Sequence, residues 1–164
     1  MDSTASTSAG VKPAGKILGR KDKADFPELG LFDIDVKIDT GAYTSSIHCH
    51  NIRLDDSLPD LHVCFNLLDP SHAGYNEKEY MLPVYQIKDV KSSSGESERR
   101  IFIKTNIRLF GKRYELDLSL TDRSDMKYPV LLGRKLLKKG QFLVNVRRVN
   151  RSYKLKLKYG SKGE

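Results

Sequence analysis

The sequence predicts an all-β fold, a closed β-barrel or sandwich with one short helix towards the C-terminal end. Short runs of β-branched and aromatic residues recur along the chain with turn residues between them. The clearest run is 33–39, where polar and apolar residues alternate as on a half-buried strand. The apolar segment 130–140 continues into a predicted helix that Gly140 ends. Many short strands with a single helix are typical of barrels and sandwiches.

The remaining predicted strands are separated by clusters of Gly, Pro, Asn, Asp and Ser. One turn surrounds Pro27 within 26–30, and a tight turn lies at 110–112. The small, polar segment 91–98 is the tip of a long hairpin, and the last two strands form a second hairpin. We predict these strands at 16–20, 44–54, 61–68, 79–90, 99–109, 114–120, 142–146 and 153–159.

Length and composition are those of one compact domain. The chain has 164 residues, of which 38% are hydrophobic and 30% charged, which is enough apolar material for a core. We predict a single domain over 16–160, preceded by a disordered segment over 1–15 that is rich in Ser, Thr, Ala and Gly. No apolar run approaches the roughly 18 residues of a membrane span, and the N-terminus has no stretch of signal-peptide type. A cytoplasmic protein without membrane contact is expected, or an exported one if a leader has been removed.

The charge of the chain is uneven. The net charge is +8, and seven Lys and Arg residues against one acid fall within 147–164. A basic terminus can bind nucleic acid or acidic ligands, but we favour a solvated strand face plus a tail as the explanation, and we do not expect a nucleic-acid partner. The two cysteines, Cys49 and Cys64, are too few for a disulfide framework and are predicted to be buried thiols.

The most informative segment is a strand that ends in Asp-Thr-Gly-Ala. Asp39 places a carboxylate at the strand end, and the hydroxyl of Thr40 can hydrogen-bond to a neighbouring loop. Gly41 permits a tight turn in which its amide approaches the carboxylate, and the small Ala42 leaves room for a substrate. The alternative for Asp39 is an acid that caps a turn.

A second segment, near the other end of the chain, strengthens the functional interpretation of Asp-Thr-Gly-Ala. Residues 130–137 read apolar-apolar-Gly-Arg-x-Leu-Leu after a Pro-Val step, and this pattern resembles the helix-opening segment of retroviral proteases. The order of the elements between the two segments is that of a retropepsin: hairpin, strand, turn, strand, helix. The resemblance implies a closed β-barrel of acid-protease (retropepsin-like) type. Gly133 and Arg134 would then brace the Asp39 loop.

The chain is still more similar to a bacterial retropepsin-like family that is often labelled "ATP-dependent zinc proteases". The motifs that carry this resemblance occur in the family's order. They are Lys37–Ala42, Thr44-Ser45-x-x-His48, Ser93-Ser94-Gly95, Leu120-Thr121-Asp122-Arg123-Ser124-x-Met126-x-Tyr128-Pro129 and Leu131–Arg134.

The sequence departs from the retroviral pattern at one point. Two acids follow Asp-Thr-Gly-Ala in retroviral enzymes, and one of them pairs with the arginine of the Gly-Arg segment. Tyr43 and Thr44 stand at these positions here, so Arg134 needs another partner.

The resemblance implies an aspartic endopeptidase, whose chemistry needs two carboxylates within hydrogen-bond distance. Because the chain has one Asp-Thr-Gly, we expect a homodimer in which each subunit contributes Asp39. No cofactor is expected. Family members are often encoded beside enzymes that ligate glutamate to proteins, which suggests a glutamate-rich peptide or protein substrate. The hairpin tip, with Ser92, Ser93, Ser94 and Gly95, would close over the substrate as a flap, or is only a surface turn.

Two other functions stay open at this point. One is a non-catalytic module on the same fold that binds peptides or an acidic partner. The other is a zinc-binding protein, because His48 and His50 share one strand face, His62 and Cys64 share another, and four such ligands suit tetrahedral zinc. The chain has no His-Glu-x-x-His motif. A structural hydrogen bond near the Asp39 loop is the simpler role for His48.

Overall fold

The computed structural model describes residues 16–91, 94–123 and 127–160, so the prediction for 1–15 lies outside the described residues. Most of the regular secondary structure in the described part is β-strand, accompanied by two short α-helices and a 3-10 turn at Pro27–Leu29. The strands are β1 (Ile17–Leu18), β2 (Lys21–Phe26), β3 (Leu31–Ile38), β4 (Ser45–Asp55), β5 (His62–Leu67), β6 (Glu79–Pro83), β7 (Gln86–Lys91), β8 (Ser97–Leu109), β9 (Lys112–Thr121), β10 (Val130–Leu132) and β11 (Leu143–Val144). The helices are α1 (Arg134–Lys139) and α2 (Arg151–Tyr159).

Six of the strands close into a barrel. The order is β9, β8, β2, β3, β10 and β4, and β4 pairs in parallel with β9 to complete the circle. The closing register runs from Leu118 opposite Ser45 to Thr121 opposite His48. The predicted fold class, an all-β barrel of acid-protease type, is therefore confirmed. Because the barrel is closed, each of these six strands pairs with a neighbour on both sides, and the wall is hydrogen-bonded all the way round.

The barrel is filled by apolar side chains from every strand of its wall. On β9, the alternating Leu116, Leu118 and Leu120 all face the core, as their spacing predicts. The β9 residues between them are also buried, because the other face of this strand is covered as well. Fully buried side chains elsewhere in the core include Phe26, Val36, Ile47, Phe65, Ile103, Ile107 and Leu132.

Beyond the barrel, β4 continues outwards and pairs with β5, which pairs with β6. The predicted single strand 79–90 is wrong, because the chain changes partners after Pro83. The backbone N–H of Val84 donates to Leu61, and that of Tyr85 donates to Phe102 on β8. The segment therefore divides into β6, which belongs to the outer extension, and β7, which forms the predicted long hairpin with β8.

The predicted strand at 153–159 is also wrong, because this segment is helix α2. Its alternating apolar residues suggest a strand, yet Leu157 is 66% exposed and Leu155 is 39% exposed. The predicted hairpin is absent from the described residues, and of its other strand, 142–146, only β11 forms, in parallel with β1. Helix α1 ends before Gly140, as predicted. Neither helix is long and apolar enough to cross a membrane.

Polar contacts hold α2 against the barrel. The carboxylate of Asp22 on β2 accepts the backbone N–H groups of Ser152 (2.9 Å) and Tyr153 (3.0 Å), which belong to the first turn of α2 and have no acceptor within the helix. Burial raises the pKa of Asp22, although these two bonds and a third from Lys23 act against the rise. The Ser152 hydroxyl accepts the N–H of Phe110. A capping residue on a distant strand thus starts the helix.

Both cysteines are buried free thiols, as the sequence predicts. Cys49 lies on β4 opposite Leu67, and Cys64 lies on β5 opposite Arg53. Burial raises the pKa of the Cys49 thiol to about 12, so this sulfur stays protonated and unreactive at neutral pH.

Gly19 should be intolerant of a side chain, because the segment before α2 lies directly against it. A Cβ at Gly19 would lie 2.0 Å from the carbonyl oxygen of Arg148, whereas one at Gly74 would make ordinary contacts of 3.5 Å with Ile34 and Leu68. We expect Gly19→Ala to lower the free energy of unfolding by about 1–3 kcal/mol and Gly74→Ala to change it by less than about 1 kcal/mol. Urea denaturation measures both. Equal midpoints for the two variants would contradict this packing.

Candidate active site

The Asp39 loop begins where β3 ends beside β10. The two strands run in parallel with Ile38 opposite Leu132, and the backbone N–H of Asp39 donates to the Leu132 carbonyl at 2.9 Å. This bond extends the barrel ladder by one residue into the loop. The position of Asp39 is therefore fixed by the barrel wall itself.

Within the loop, the Gly41 amide approaches the Asp39 carboxylate, as the sequence predicts. The N–H of Gly41 donates to Oδ1 at 3.1 Å, and the N–H of Ala42 donates to the Asp39 carbonyl at 3.2 Å. The side chain is half-buried, and Thr40 and Gly41 beside it are exposed. Among the described residues, Oδ2 accepts no hydrogen bond. The carboxylate is thus held through one oxygen, and within the described residues the other is left without a hydrogen-bond donor.

Gly133 lies against the far side of the loop. A Cβ there would come within 2.5 Å of the Thr44 carbonyl oxygen and 2.8 Å of the Tyr43 carbonyl carbon, so only glycine fits this approach. The N–H of Gly133 donates to the Ser45 hydroxyl at 3.0 Å. This contact brings the two motif segments of the sequence together.

The structure identifies the partners of Arg134, which the sequence did not. Its backbone N–H donates to the Ala42 carbonyl at 2.8 Å, and its guanidinium Nη1 donates to the Thr40 carbonyl at 3.0 Å. The guanidinium carbon also lies 5.7 Å from the centre of the Tyr43 ring, within cation–π range. A backbone carbonyl and an aromatic face therefore replace the carboxylate of the retroviral pattern.

The next residue, Lys135, makes a third contact with the loop. Its N–H donates to the Tyr43 carbonyl at 2.9 Å, and its ammonium pairs with Asp117, which Lys104 also contacts at 3.2 Å. Burial raises the pKa of Asp117, but the two ammonium groups outweigh burial and hold it below its ordinary value. The carboxylate therefore stays ionised and ties α1 to β9.

His48 lies three residues along β4 from Ser45, roughly 10 Å further from the Asp39 loop. Its Nε2 lies 2.5 Å from Oδ2 of Asp69, and its Nδ1 accepts the backbone N–H of Arg123 at 3.1 Å. Because Nδ1 is an acceptor, Nε2 carries the proton and donates to Asp69. The buried ring joins two loops to β4 and has no hydrogen bond to the Asp39 loop.

The four candidate zinc ligands do not meet. Their strands pair as the zinc hypothesis requires, but the register places Cys64 opposite Arg53 and His62 opposite Asp55. The His50 ring bonds to the Leu68 carbonyl, and the His62 ring to the Asp60 carbonyl. In the described ranges, no three His, Cys, Asp or Glu side chains form a group that could hold a metal ion. The residues present do not fit a zinc site of this composition.

The predicted flap is the tip of the β7–β8 hairpin. The ladder runs as far as Lys91 opposite Ser97, so the predicted tip 91–98 is too long: Lys91, Ser97 and Glu98 belong to the strands. Ser92 and Ser93 lie outside the described residues. Gly95 has a φ of 92°, which favours glycine at this position.

A comparison with protein-family models adds an independent finding to this geometry. Residues 17–153 match the RimB-like family, described as the retropepsin-like aspartic endopeptidase RimB. The chain belongs to the RimB-like family. The match covers both sides of the site, from the Asp39 loop to the Gly133–Arg134 segment.

Curated relatives of this RimB-like chain are longer proteins with a different name. A probable alpha-L-glutamate ligase of Shewanella pealeana is 38% identical over 125 residues, which are 74% of this chain and 26% of that protein. One from Desulfotalea psychrophila is 35% identical over 124 residues, 76% of this chain and 27% of that protein. The chain thus spans about a quarter of the length of these relatives.

A solved structure also resembles the RimB-like chain. The crystal structure of a protein of unknown function from Legionella pneumophila superimposes with a TM-score of 0.65 at 25% sequence identity. The alignment covers 82% of this chain and 95% of the other.

Sequence reasoning did not single out three residues that shape the site. Ser45 supports Gly133 and could have been found, because it belongs to the Thr44-Ser45-x-x-His48 motif. Asp117 and Asp69 could not, because their partners Lys135 and His48 are 18 and 21 residues away and no local pattern links them.

The Asp69 carboxylate predicts a specific loss of stability in acid. Hydrogen bonds from the Ser71 hydroxyl and N–H, and then from His48, lower the pKa of Asp69 from 3.8 to about 2. A lowered carboxylate pKa stabilises the fold above the unfolded value, and this stabilisation is lost as pH falls from 3.8 towards 2. We expect Asp69→Asn to be less stable than wild type at neutral pH.

The stability difference between wild type and Asp69→Asn should shrink as pH falls through that window. Urea denaturation at a series of pH values measures it. Asp56→Asn, at an exposed position, controls for the change in net charge. A difference between wild type and Asp69→Asn that is constant from neutral pH to pH 2 would refute this role for Asp69.

Proposed function

We propose that this chain is one subunit of a homodimeric aspartic endopeptidase, in which Asp39 from each subunit forms the catalytic pair. The observation that carries the proposal is the Asp39 loop itself. Its carboxylate is held through Oδ1 by Gly41, Oδ2 accepts no hydrogen bond within the described residues, and Gly133 and Arg134 clamp the loop. A turn-capping acid would need no such clamp.

The chemistry follows from two carboxylates brought within hydrogen-bond distance. Two such groups cannot both be ionised, so the pair holds one proton. The ionised member removes a proton from a water molecule, which attacks the carbonyl carbon of the peptide bond, while the protonated member donates to the carbonyl oxygen. The tetrahedral intermediate then collapses as the leaving amine takes up a proton.

The second subunit is needed because the chain has one Asp-Thr-Gly. Thr40 is exposed in the single chain, next to the half-buried carboxylate, and a two-fold partner would bring another Asp39 loop against it. The two Thr40 hydroxyls would then hydrogen-bond to the opposite loops. The hairpin tip around Gly95 would close over a bound peptide and exclude water.

A glutamate-rich substrate is supported by the names of the longer proteins that contain a segment homologous to this chain. In the curated relatives, a segment homologous to this chain is part of a polypeptide named probable alpha-L-glutamate ligase. A hydrolase joined to a ligase has access to the bond that the ligase makes. We therefore propose that the enzyme cleaves peptide bonds within or next to runs of glutamate that such a ligase adds to proteins.

Asp39→Asn tests the catalytic assignment. Asn is nearly isosteric with Asp and can still accept the Gly41 N–H, so the free energy of unfolding should change by less than about 2 kcal/mol. Because Asn cannot ionise, the shared-proton pair is lost and the hydrolysis of a glutamate-rich peptide should fall by orders of magnitude. Peptide cleavage is followed by mass spectrometry. A rate within a few-fold of wild type would exclude Asp39 as the catalytic acid.

Mixing the two proteins tests the shared site. If each active site needs Asp39 from both subunits, a ninefold excess of Asp39→Asn protein should reduce the activity of a fixed amount of wild type to about one tenth after subunits exchange. The control is the same excess added just before the assay, before exchange occurs. Unchanged activity after full exchange, shown by mass spectrometry of tagged subunits, would refute a composite site. A dimer that binds oligoglutamate without cleaving it would instead favour the binding-module alternative.

A further inference from the structure

The face of α2 that points away from the barrel forms one wall of a groove, and the segment 147–149 forms the other. The groove has a volume of about 520 Å³ and an apolar floor that includes Phe110. Its walls carry five basic side chains and no acidic one among the described residues, and we call it the basic groove. These side chains are Arg147, Arg148, Arg151, Lys154 and Lys158.

The cations of the basic groove differ from those that join the helices to the barrel. In the part of the chain that the structure describes, none of the five is paired with a carboxylate, and four of them are exposed. On α2, Arg151, Lys154 and Lys158 recur at helical spacing on one face, where like charges reduce helix stability. Cations that contact the barrel are instead neutralised: Lys23 by Asp35, Lys104 by Asp117, and Lys156 by Asp25 and Asp33.

Apart from one hydrogen bond, from Arg151 Nε to the Ile17 carbonyl at 2.9 Å, these five side chains make no hydrogen bond or salt bridge with the barrel in the described residues. Lys156 and Ser152 attach α2 to the barrel from its other face, so the basic face is not needed for docking. A group of five like charges that weakens its own helix is explained if a negatively charged ligand neutralises it.

A direct backbone connection joins the basic groove to the Asp39 loop. The N–H of Ile38 donates to the Arg20 carbonyl at 3.0 Å, and the N–H of Arg20 donates to the Arg148 carbonyl at 2.9 Å. The Arg148 backbone is therefore separated from Ile38, the residue before Asp39, by two hydrogen-bonded strand spacings, or roughly 10 Å. A peptide bound at Asp39 needs only about three further residues to reach it.

The groove is also a rigid surface. The absence of a side chain at Gly19 lets the Arg148 backbone approach, and Asp22 fixes the first turn of α2. Little ordering is therefore needed when a ligand binds, which favours affinity.

We propose that the basic groove is a second binding site for the acidic part of the peptide substrate, which it holds while Asp39 acts on a bond nearby. This inference rests on the proposed function. The apolar floor suits the methylene groups of glutamate, and the cations suit its carboxylates. The Phe110 ring is 6.0 Å from the Phe142 ring and packs against it, so it does not serve as a platform on which nucleic-acid bases stack.

Charge reversal at Lys154 and Lys158 tests the proposal at a small structural cost, because the one described side-chain contact that it removes is between the Lys158 ammonium and the Tyr159 ring, 5.3 Å apart within α2. The variant is Lys154→Glu/Lys158→Glu, and its matched control is Lys78→Glu/Lys127→Glu, which changes the net charge equally at exposed positions outside the groove. Circular dichroism checks that both fold. Two substrates are compared: a short peptide with glutamates only beside the cleaved bond, and the same peptide with a long oligoglutamate extension.

We expect wild type and the control variant to prefer the long peptide over the short one. For each protein we take kcat/KM for the long peptide divided by kcat/KM for the short peptide. This ratio should be about tenfold lower in Lys154→Glu/Lys158→Glu than in wild type, because KM for the long peptide rises while kcat does not change. A ratio that equals that of the control variant would overturn the proposal while leaving the proposed peptidase intact.

Binding separates the groove from catalysis. Fluorescence anisotropy measures the binding of labelled oligoglutamate to Asp39→Asn protein. The affinity should fall about tenfold when Lys154→Glu and Lys158→Glu are introduced into the same chain, whether or not the wild type cleaves peptides. Single-stranded RNA of equal charge is the competitor. RNA that binds the groove more tightly than oligoglutamate at the same salt concentration would overturn the assignment to an acidic peptide.

Discussion

The site depends on one contact, the close approach of the Gly133–Lys135 backbone to the Asp39 loop. Three successive loop residues, Ala42, Tyr43 and Thr44, meet this segment through two carbonyl–amide bonds and a contact that leaves no room for a Cβ. Because backbone groups make the contact, it fixes the loop's position regardless of most side chains. The carboxylate geometry is thus a property of the barrel wall, which a functional site on a flexible loop would lack.

Charge is arranged differently on the two sides of this barrel. Asp117 on β9 is paired with Lys135, and Asp25 on β2 is paired with Lys156, and these bridges join α1 and α2 to the wall. On the outer face of α2 the cations have no such partner in the described residues. The paired charges serve the architecture, and the unpaired ones are available for ligands. Net charge alone does not distinguish these two roles, because both contribute to the same total.

The sequence predicted those features that local chemistry determines. The Asp39–Ala42 turn, the helix after Gly133 and the alternating leucines of β9 were recognisable because each depends on neighbouring residues. Helix α2 was mistaken for a strand because its start depends on Asp22, which lies 130 residues from Ser152. The partner of Arg134 was not predictable either, since it is a backbone carbonyl, a group that every residue has.

The closure of the barrel also determines the order in which the site can form. Thr40 and Arg134 are 94 residues apart, and the parallel pairing of β4 with β9 joins segments that are nearly as distant. Contacts of such sequence separation form late in folding, since the loop entropy must be overcome first. During synthesis the Asp39 loop therefore stays unclamped until α1 has left the ribosome. A growing chain consequently holds the Asp39 loop in its final position only after the segment around Arg134 has been made.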